Sequence, residues 1–449
     1  MADNFDVVVL GTGNAGMGAA GVTRAAGKSV AMIESRDVGG TCPIRGCVPK
    51  KVLVAAAQVL HQIDLAPQHH ISVGAPKLDW PALIARERTF VDGVPDDFRG
   101  SLENREIELI EGRAKFVGEN AIAVNGRTLE AENIIIATGS TPRSLPIKGA
   151  ELMITSDDIL ELATLPDRLV FIGGGVIALE FGHVFARAGT EVTILEVMDR
   201  LLPRMEADAV AQVHKESERI GINILTGVNV EEITAAGNSL QVNFTHDGKP
   251  QSIEADRVAN GAGRVPDVAE LDLDAGNVAH DGLSLSVSEE LRSTSNPHVW
   301  AAGDAIGGSG QLSPIATYEG RIVGNNILNG GGQTPSYGHI PANVYTVPAL
   351  ATIGMTEEEA IAAGRKFQVK GGDMSGWRSS MTHAETVSFS KVLVEDDTNA
   401  ILGAHIVGHG AEEIIHLFAM AMKYDLGTAA LTDMVYAYPT FASDIKFMV

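Results

Sequence analysis

The two cysteines of the chain lie five positions apart, at Cys42 and Cys47. On a helix they would be about one and a half turns apart, and a partly unwound helix start would bring the sulfurs within disulfide reach. A secreted disulfide scaffold has more cysteines, so the pair suggests redox chemistry in a reducing compartment. Two unrelated buried cysteines, or half of a metal site, are the alternatives. No histidine spacing typical of a ligand set accompanies the pair, so no metal ligands are predicted.

A glycine-rich turn precedes the cysteines and favours the redox interpretation. Residues 5–10 are an apolar run typical of a buried parallel strand. After the turn come an alanine-rich helical stretch and a strand over 29–33 that ends at Glu34. The turn itself consists of Gly11, Thr12, Gly13, Asn14, Ala15 and Gly16. Such a turn lets the backbone approach a pyrophosphate at a helix N-terminus, and Glu34 is placed to bind ribose hydroxyls.

The same pattern returns further along the chain. A strand over 169–172 leads into a second glycine turn, a helix follows, and a strand over 191–195 ends at Glu196. The second turn consists of Gly173, Gly174, Gly175, Val176, Ile177 and Ala178. Two such units predict two dinucleotides, and the expected contacts of the second are Gly173, Gly175, Ile177, Glu180, Glu196 and Gly263.

Composition limits the class of protein. The 449 residues carry 34 Lys and Arg against 57 Asp and Glu, a formal charge of −23. That charge disfavours a nucleic-acid partner or an anionic membrane surface. The chain has no uninterrupted apolar run of about 18 residues, so no membrane-spanning helix is predicted. Its first residues lack the basic start and the apolar stretch of a signal peptide. We expect a soluble, cytoplasmic protein without a nucleic-acid or membrane partner.

On these motifs the chain resembles the flavoprotein disulfide reductases, the family of glutathione reductase, dihydrolipoamide dehydrogenase and mercuric reductase. The motifs occur in the family order: G-x-G-x-x-G, G-G-T-C-x-x-x-G-C-x-P-K, A-T-G-S, a second glycine unit, A-x-G-D and a dimerisation domain. The resemblance implies an α/β fold with two Rossmann-like dinucleotide-binding domains plus a C-terminal α+β dimerisation domain. The predicted segments are 1–141 (FAD-binding, first part), 142–262 (NAD-binding), 263–332 (FAD-binding, central part) and 333–449 (dimerisation).

The resemblance also implies residue roles. Cys47 would be the charge-transfer thiol against the flavin, and Cys42 the interchange thiol that faces the substrate. Lys50 and Glu180 match the family's ion pair beside flavin N5, and Asp304 matches the carboxylate on the ribityl chain. The further FAD contacts expected are Thr41, Lys50, Thr138 and Gly139. The protein would be a homodimer that passes electrons from NAD(P)H to a small-molecule or small-protein acceptor.

Glu196 favours NADH over NADPH. Relatives that use NADPH carry arginines after the second strand, which bind the 2′-phosphate, and the corresponding positions here are Val197 and Pro203. Glu196 would repel that phosphate and accept a hydrogen bond from a free 2′-hydroxyl. Ala178 is a residue often seen with NADPH, and Arg200 is near enough to soften the preference. We expect the direct contact at Glu196 to outweigh the effect of Ala178.

The C-terminal tail (residues 436–444) departs from the family at its acid/base group. The family has a histidine before Pro-Thr and a glutamate five residues later, which serve the interchange thiol across the dimer interface. Tyr438 takes the histidine position and Ser443 the glutamate position, with Asp444 adjacent. A tyrosine ordinarily ionises near pH ~10 and is a poor base at neutral pH. Tyr438 would donate a hydrogen bond to a thiolate or anion, or merely pack at the interface.

Glutathione disulfide is expected to be a poor substrate. The arginines that bind the carboxylates of glutathione are replaced by Gly21 and Val22, and Phe98 stands at the usual tyrosine position. Arg321 does match a family arginine at the substrate cleft. Val176 occupies the position of the nicotinamide gate, as in dihydrolipoamide dehydrogenases.

The predicted function is therefore an FAD-dependent, NADH-preferring oxidoreductase with a redox-active disulfide between Cys42 and Cys47. Its substrate would be a disulfide other than that of glutathione. A metal-ion, quinone or other electrophile reductase is the first alternative, since such acceptors need no strong base. A flavin-bearing redox sensor with low turnover is the second.

Overall fold

The computed structural model describes residues 2–308 and 310–449. Its strands are β1 (Asp3–Leu10), β2 (Val30–Glu34), β3 (Glu108–Glu111), β4 (Lys115–Gly118), β5 (Ala121–Val124), β6 (Arg127–Ile136), β7 (Ser140–Pro142), β8 (Arg168–Ile172), β9 (Glu191–Leu195), β10 (Asn223–Leu225), β11 (Asn229–Ala236), β12 (Ser239–His246), β13 (Lys249–Ala255), β14 (Arg257–Asn260), β15 (Arg264–Pro266), β16 (Val299–Ala301), β17 (Ala342–Val344), β18 (Ala349–Gly354), β19 (Phe367–Asp373), β20 (Phe389–Glu395) and β21 (Ile401–Gly408).

The helices are α1 (Asn14–Ala25), α2 (Thr41–Arg45), α3 (Cys47–Leu65), α4 (Trp80–Val91), α5 (Val94–Asn104), α6 (Ser156–Leu160), α7 (Val176–Ala188), α8 (Ala207–Arg219), α9 (Ser313–Asn329), α10 (Glu357–Ala362), α11 (Arg378–His383), α12 (Ala411–Lys423), α13 (Thr428–Asp433) and α14 (Ile445–Met448). None of these described helices combines the length and the apolar character needed to span a bilayer.

The chain forms two compact units, each assembled from three separated segments. The first unit contains Met1–Lys50, Ala85–Arg143 and Arg264–Ser336. The second contains Lys51–Ile84, Ser144–Gly263 and Tyr337–Val449. The four-segment division inferred from the sequence stays a prediction.

The first unit is built on a seven-stranded sheet of order β3-β2-β1-β6-β5-β4, with β16 also paired to β6. Strands β1, β2, β3, β6 and β16 run parallel to one another. The apolar run predicted as a buried strand over 5–10 forms the last six residues of β1, and the last four of these are buried. Because parallel strands end at the same edge of a sheet, the turns that come after β1, β2, β6 and β16 share that edge.

The second unit holds three sheets. Strands β10-β9-β8-β14 form a parallel sheet, β11-β12-β13 an antiparallel one, and β17-β18-β21-β20-β19 a five-stranded antiparallel sheet. Helix α12 buries Ile415 and Phe418 in the core of the last sheet. The buried face of this helix therefore contributes to a core.

Candidate active site

The first glycine turn (residues 11–16) joins β1 to α1. Gly11 has a φ of +109°, and a Cβ at this position would lie 2.3 Å from the carbonyl oxygen of Ala137, so only glycine fits. Gly13 is the N-cap of α1, and no side chain caps this helix in the described structure. Its first turn therefore offers N–H groups and the positive dipole end to an anion. That turn consists of the predicted residues Asn14, Ala15 and Gly16.

Glu34 is the last residue of β2 and is buried. Its Oε2 accepts hydrogen bonds from the backbone N–H of Thr12 at 2.9 Å and from the Thr12 hydroxyl at 2.7 Å. Its Oε1 accepts one from the N–H of Arg36 at 2.9 Å. The carboxylate is thereby fixed at the strand end where a ribose would lie.

The cysteine segment is tied to this turn. The N–H of Gly39 donates to the Thr12 hydroxyl at 2.9 Å. Gly40 has a φ of +75°, and a Cβ there would lie 2.6 Å from the Cα of Gly13. The two backbones therefore touch, and no other residue type fits at Gly40. This contact explains why two glycines stand directly before Thr41 and Cys42.

The thiols lie on two short helical pieces. Cys42 is in α2, and α3 begins at Cys47 after a break at Gly46. The break corresponds to the unwound start expected from the spacing. Both cysteines are free thiols in this structure, so their disulfide stays a prediction.

The two thiols differ in acidity. The hydrogen bond from Cys42, together with Ser313 and the charge of Lys50, lowers the pKa of Cys47 to about 6. The same hydrogen bond and burial raise the pKa of Cys42 above its ordinary value. At neutral pH the pair therefore holds a thiolate at Cys47 and a thiol at Cys42.

Ser313 was missed by the sequence analysis. Its Oγ lies 3.6 Å from the Sγ of Cys47, at the first residue of α9. The two residues are 266 positions apart, and no motif marks the serine.

The remaining predicted flavin contacts lie in the first unit. The hydroxyl of Thr138 is buried and has no hydrogen-bond partner among the described residues. Gly139, the next residue, has a φ of +74°. Asp304 accepts a hydrogen bond from the Ser140 hydroxyl at 2.8 Å, and burial raises the pKa of Asp304. The unpartnered hydroxyl, the glycine turn and the uncapped helix fit a bound dinucleotide such as FAD.

The second glycine turn (residues 173–178) repeats the first. Gly175 is the N-cap of α7, again without a capping side chain in the described structure, and Ile177 lies in the first helical turn. Glu196 comes directly after β9 and is buried. Its carboxylate accepts hydrogen bonds from the N–H groups of Gly174 and Met198.

The chain after Glu196 is open to solvent. Val197 is 65% exposed and Met198 is 50% exposed. The guanidinium of Arg200 donates hydrogen bonds to three backbone carbonyls of the loop 202–205, at 2.7 to 3.3 Å. It also lies 3.6 Å from the carboxylate of Glu358. The arginine is thus engaged by this loop.

The predicted pair Lys50–Glu180 stays a prediction. Lys50 lies near the start of α3, in the first unit, and its charge acts on Cys47. Glu180 lies in α7, in the second unit, and its Oε1 accepts a hydrogen bond from the N–H of Tyr345 at 2.8 Å. Gly263, another predicted contact, lies shortly after β14 with a φ of +96°.

The tail presents Tyr438 to solvent. Its side chain is 71% exposed, and that of Val435 nearby is 93% exposed. Ser443 instead closes a local turn with Thr440, through hydrogen bonds in both directions. Asp444 is buried against the hydroxyl of Ser379, and burial raises the pKa of this carboxyl group. Ser443 and Asp444 thus stabilise the tail locally.

Among the described residues, one group of three carboxylates lies close enough together to hold a metal ion. It consists of Glu206, Asp208 and Glu357. The Nζ of Lys391 forms ion pairs with all three. The cluster therefore neutralises a buried ammonium group.

Comparisons with known proteins identify the family. Residues 5–320 match the family model described as pyridine nucleotide-disulphide oxidoreductase, and residues 340–449 match its dimerisation domain. The chain belongs to this family. Its relatives include a mercuric reductase of Lysinibacillus sphaericus, 32% identical over 99% of this chain and 82% of that protein. A glutathione reductase of Burkholderia cepacia is 31% identical over 98% of this chain and 97% of that protein.

A solved structure agrees along the whole chain. The HOCl-induced flavoprotein disulfide reductase RclA of Escherichia coli, in a Cu(II) complex, is 28% identical, with a TM-score of 0.89 and 99% of both chains covered. As a member of the pyridine nucleotide-disulphide oxidoreductases, the chain is an oxidoreductase of an FAD-binding family that uses a pyridine nucleotide. The matched dimerisation domain supports a homodimer.

Proposed function

We propose that the protein is an FAD-dependent, NADH-preferring oxidoreductase that reduces a disulfide substrate through Cys42 and Cys47. The observation that carries the proposal is the thiol pair itself, one thiolate and one thiol, tied by Gly39 and Gly40 to the first glycine turn. When bound, FAD supplies hydride and electron-pair transfer between the nicotinamide and the disulfide.

The residues of the chain then have separate roles. Cys42, on α2, attacks the substrate sulfur, and Cys47 later displaces the substrate from Cys42. The positive charge of Lys50 stabilises the thiolate at Cys47. In the homodimer, the tail of one subunit meets the thiol pair of the other, so that each active site is shared.

NADH preference is supported by the chain after β9. Glu196 is fixed by two backbone N–H groups, where its charge repels a 2′-phosphate. Its neighbours Val197 and Met198 are exposed and apolar. Arg200, the cation that would soften the preference, is held by the loop carbonyls.

Glutathione disulfide is disfavoured by the surface of α1. Gly21 and Val22 offer no cation to a glutathione carboxylate, and Val22 lies against Gly324 of α9. Arg321, which is exposed on α9, is the one family cation retained at these positions.

An acceptor panel tests the proposal. NADH oxidation is followed with glutathione disulfide, lipoamide, hydroxyethyl disulfide, a quinone, Hg²⁺ and Cu²⁺. We expect a non-glutathione disulfide to be reduced at least about tenfold faster than glutathione disulfide. Cys42→Ser is the matched control, because it keeps Cys47 and the flavin turn. Equal rates in Cys42→Ser and native protein would contradict a role for the thiol pair.

Reduction of a thiophilic metal ion is the second candidate. A thiolate beside a thiol is a donor set for soft metal ions, and such a substrate needs no proton for a leaving thiolate. One relative is named mercuric reductase and the RclA structure is a Cu(II) complex. In the panel, metal-ion rates above all disulfide rates, lost in Cys42→Ser, would favour this candidate.

A further inference from the structure

The first residue of α9 brings a hydroxyl group to the thiol pair. The Oγ of Ser313 lies 3.6 Å from the Sγ of Cys47, a length suited to a hydrogen bond to the large sulfur atom. Cys47 is itself the first residue of α3. The sulfur therefore lies at the positive dipole end of its own helix and beside that of α9, which favours a negative charge on it.

Ser313 is fixed relative to the first glycine turn. Helix α9 packs directly on α1, because a Cβ on Gly320 would lie 2.1 Å from the carbonyl oxygen of Ala15. The Nδ2 of Asn14 also donates to the carbonyl oxygen of Ser313, at 3.4 Å. The same pair of helices that forms the turn thus holds the hydroxyl in place beside Cys47.

Three groups lower the pKa of Cys47. The hydrogen bond from the Cys42 thiol lowers it most, burial opposes this effect, and the Ser313 hydroxyl comes next, ahead of the charge of Lys50. The hydroxyl acts on the pKa of Cys42 in the same direction. Cys42 on α2 and Lys50 on α3 can themselves titrate, whereas Ser313 on α9 is a neutral donor.

Of the two hydrogen-bond donors, only Ser313 is permanent. In the proposed function Cys42 gives up its proton when it attacks a substrate, and it has none while the disulfide exists. A serine hydroxyl keeps its proton over the pH range in which thiols titrate, and it rotates to follow its acceptor. Ser313 is therefore ready to donate at the moment when a negative charge forms on Cys47.

A donor is needed most when the cofactor is bound. Cys47 is exposed on the unit described here, so water can solvate its thiolate. In the proposed function the flavin lies against Cys47 and excludes that water. The thiolate then depends on donors supplied by the protein, because a buried charge without hydrogen bonds is costly.

The state of Cys47 decides how many protons the reduction consumes. The hydride of NADH carries two electrons and one proton. When these reach the disulfide, the S–S bond breaks, NADH becomes NAD⁺, Cys42 receives the proton as a thiol and Cys47 becomes a thiolate. This reaction exchanges no proton with solution. If Cys47 also ended as a thiol, one further proton would be taken from water.

We propose that the Ser313 hydroxyl is the hydrogen-bond donor that keeps Cys47 ionised in the reduced pair, so that NADH reduces the disulfide without net proton uptake at neutral pH. The inference rests on the proposed function and adds a catalytic residue to it, since the hydroxyl contacts a reacting sulfur. It also favours the reduced form of the pair, because stabilising a thiolate makes a disulfide easier to reduce.

The first test follows the thiolate by absorbance. Anaerobic holoenzyme is reduced with one equivalent of NADH, and the long-wavelength thiolate-to-flavin band is recorded as pH is varied. Ser313→Ala should move the midpoint of the band upward by at least about one pH unit, a tenfold change in the ionisation constant, because a hydrogen bond to a charged group is lost. Ser313→Thr keeps a hydroxyl and should retain the native midpoint.

Thr317→Val is the matched control on the same helix. The hydroxyl of Thr317 donates to the carbonyl oxygen of Ser313 and not to a thiol, so this variant should keep the native midpoint. All variants are compared at equal flavin content, which shows that the cofactor site is intact.

The second test counts protons with an indicator dye during the same reduction, near neutral pH. Native protein should take up about 0.1 proton per thiol pair, and Ser313→Ala about 0.5 or more, because the thiolate is partly protonated there. A native midpoint and a native proton count in Ser313→Ala would overturn the inference alone, and so would a Ser313→Thr variant that behaves like Ser313→Ala. Native protein that gives no band with NADH would overturn the proposed function instead.

Discussion

The two glycine turns share one design and differ in the chain segments to which they connect. In both, the first glycine N–H donates to a carbonyl near the end of the next strand, that of Ile33 in the first turn and that of Leu195 in the second, each at 2.8 Å. In both, a buried glutamate at the end of that strand accepts an N–H of the turn. The repetition indicates one local solution to the binding of a nucleotide, used twice in the chain.

The difference begins at one position. Thr12 in the first turn corresponds to Gly174 in the second. The Thr12 hydroxyl bridges Glu34 and Gly39 and so closes the turn onto the cysteine segment. Gly174 has no hydroxyl, and the side chain of Leu201 occupies the space where a Cβ on Gly174 would lie.

Similar turns can thus serve different cofactors, depending on the segments to which they connect. The first turn is locked to the loop that carries the thiols, which suits a cofactor that stays bound. The second opens onto the exposed residues Val197 and Met198, which suits a cofactor that exchanges in each cycle.

The largest effect is expected from Gly40→Ala. Its Cβ would lie 2.6 Å from the Gly13 backbone, at a φ of +75°, so the turn and the cysteine segment cannot keep their contact. We expect flavin content per chain to fall at least about tenfold, measured by absorbance of the purified protein. Gly100→Ala is the control, because a Cβ there meets nothing within 4 Å. Full flavin content in Gly40→Ala would show that the lock is dispensable.

A smaller effect, confined to the second turn, is expected from Glu196→Gln. The amide keeps the size of the side chain and loses the charge that repels a 2′-phosphate. The ratio of NADH to NADPH efficiency in flavin reduction should fall about tenfold, with flavin content unchanged. Glu191→Gln, exposed at the start of the same strand, should leave the ratio as in native protein. A ratio of NADH to NADPH efficiency at or below one in the native protein would refute the NADH preference.

The smallest effect is expected from Arg200→Ala. Its guanidinium donates to the loop carbonyls of Leu202, Pro203 and Met205, so its loss should loosen the loop. The ratio of NADH to NADPH efficiency should change by less than about twofold, as steady-state kinetics with both nucleotides would measure. A large gain in NADH preference would mean that the arginine reaches the 2′-phosphate after all.

Much of the fold could be predicted from the sequence because its signals are local. The strand predicted over 191–195 is β9, and the helix after the second turn ends at Ala188 as α7. Periodicity and glycine spacing report such elements directly. The motifs also indicated the family and its enzyme class, and the comparisons confirm both.

The site was less predictable because its partners are distant in the chain. Ser313 and Cys47 are 266 positions apart. Pairings of this kind depend on tertiary packing, which composition and spacing do not encode. Arg200 was singled out from the sequence, but its hydrogen bonds to the loop carbonyls depend on how residues 202–205 fold.

Anaerobic titration with NADH tests the central claim, that Cys47 is a thiolate against the flavin in the reduced protein. One equivalent of NADH should produce a long-wavelength thiolate-to-flavin absorption band. The band should be lost as pH falls below about 6, because the pKa of Cys47 is lowered to about 6 and protonation removes the donor. Cys47→Ser should give no band, whereas Cys42→Ser should show one without NADH. Bleaching of the native flavin without any such band would contradict the account.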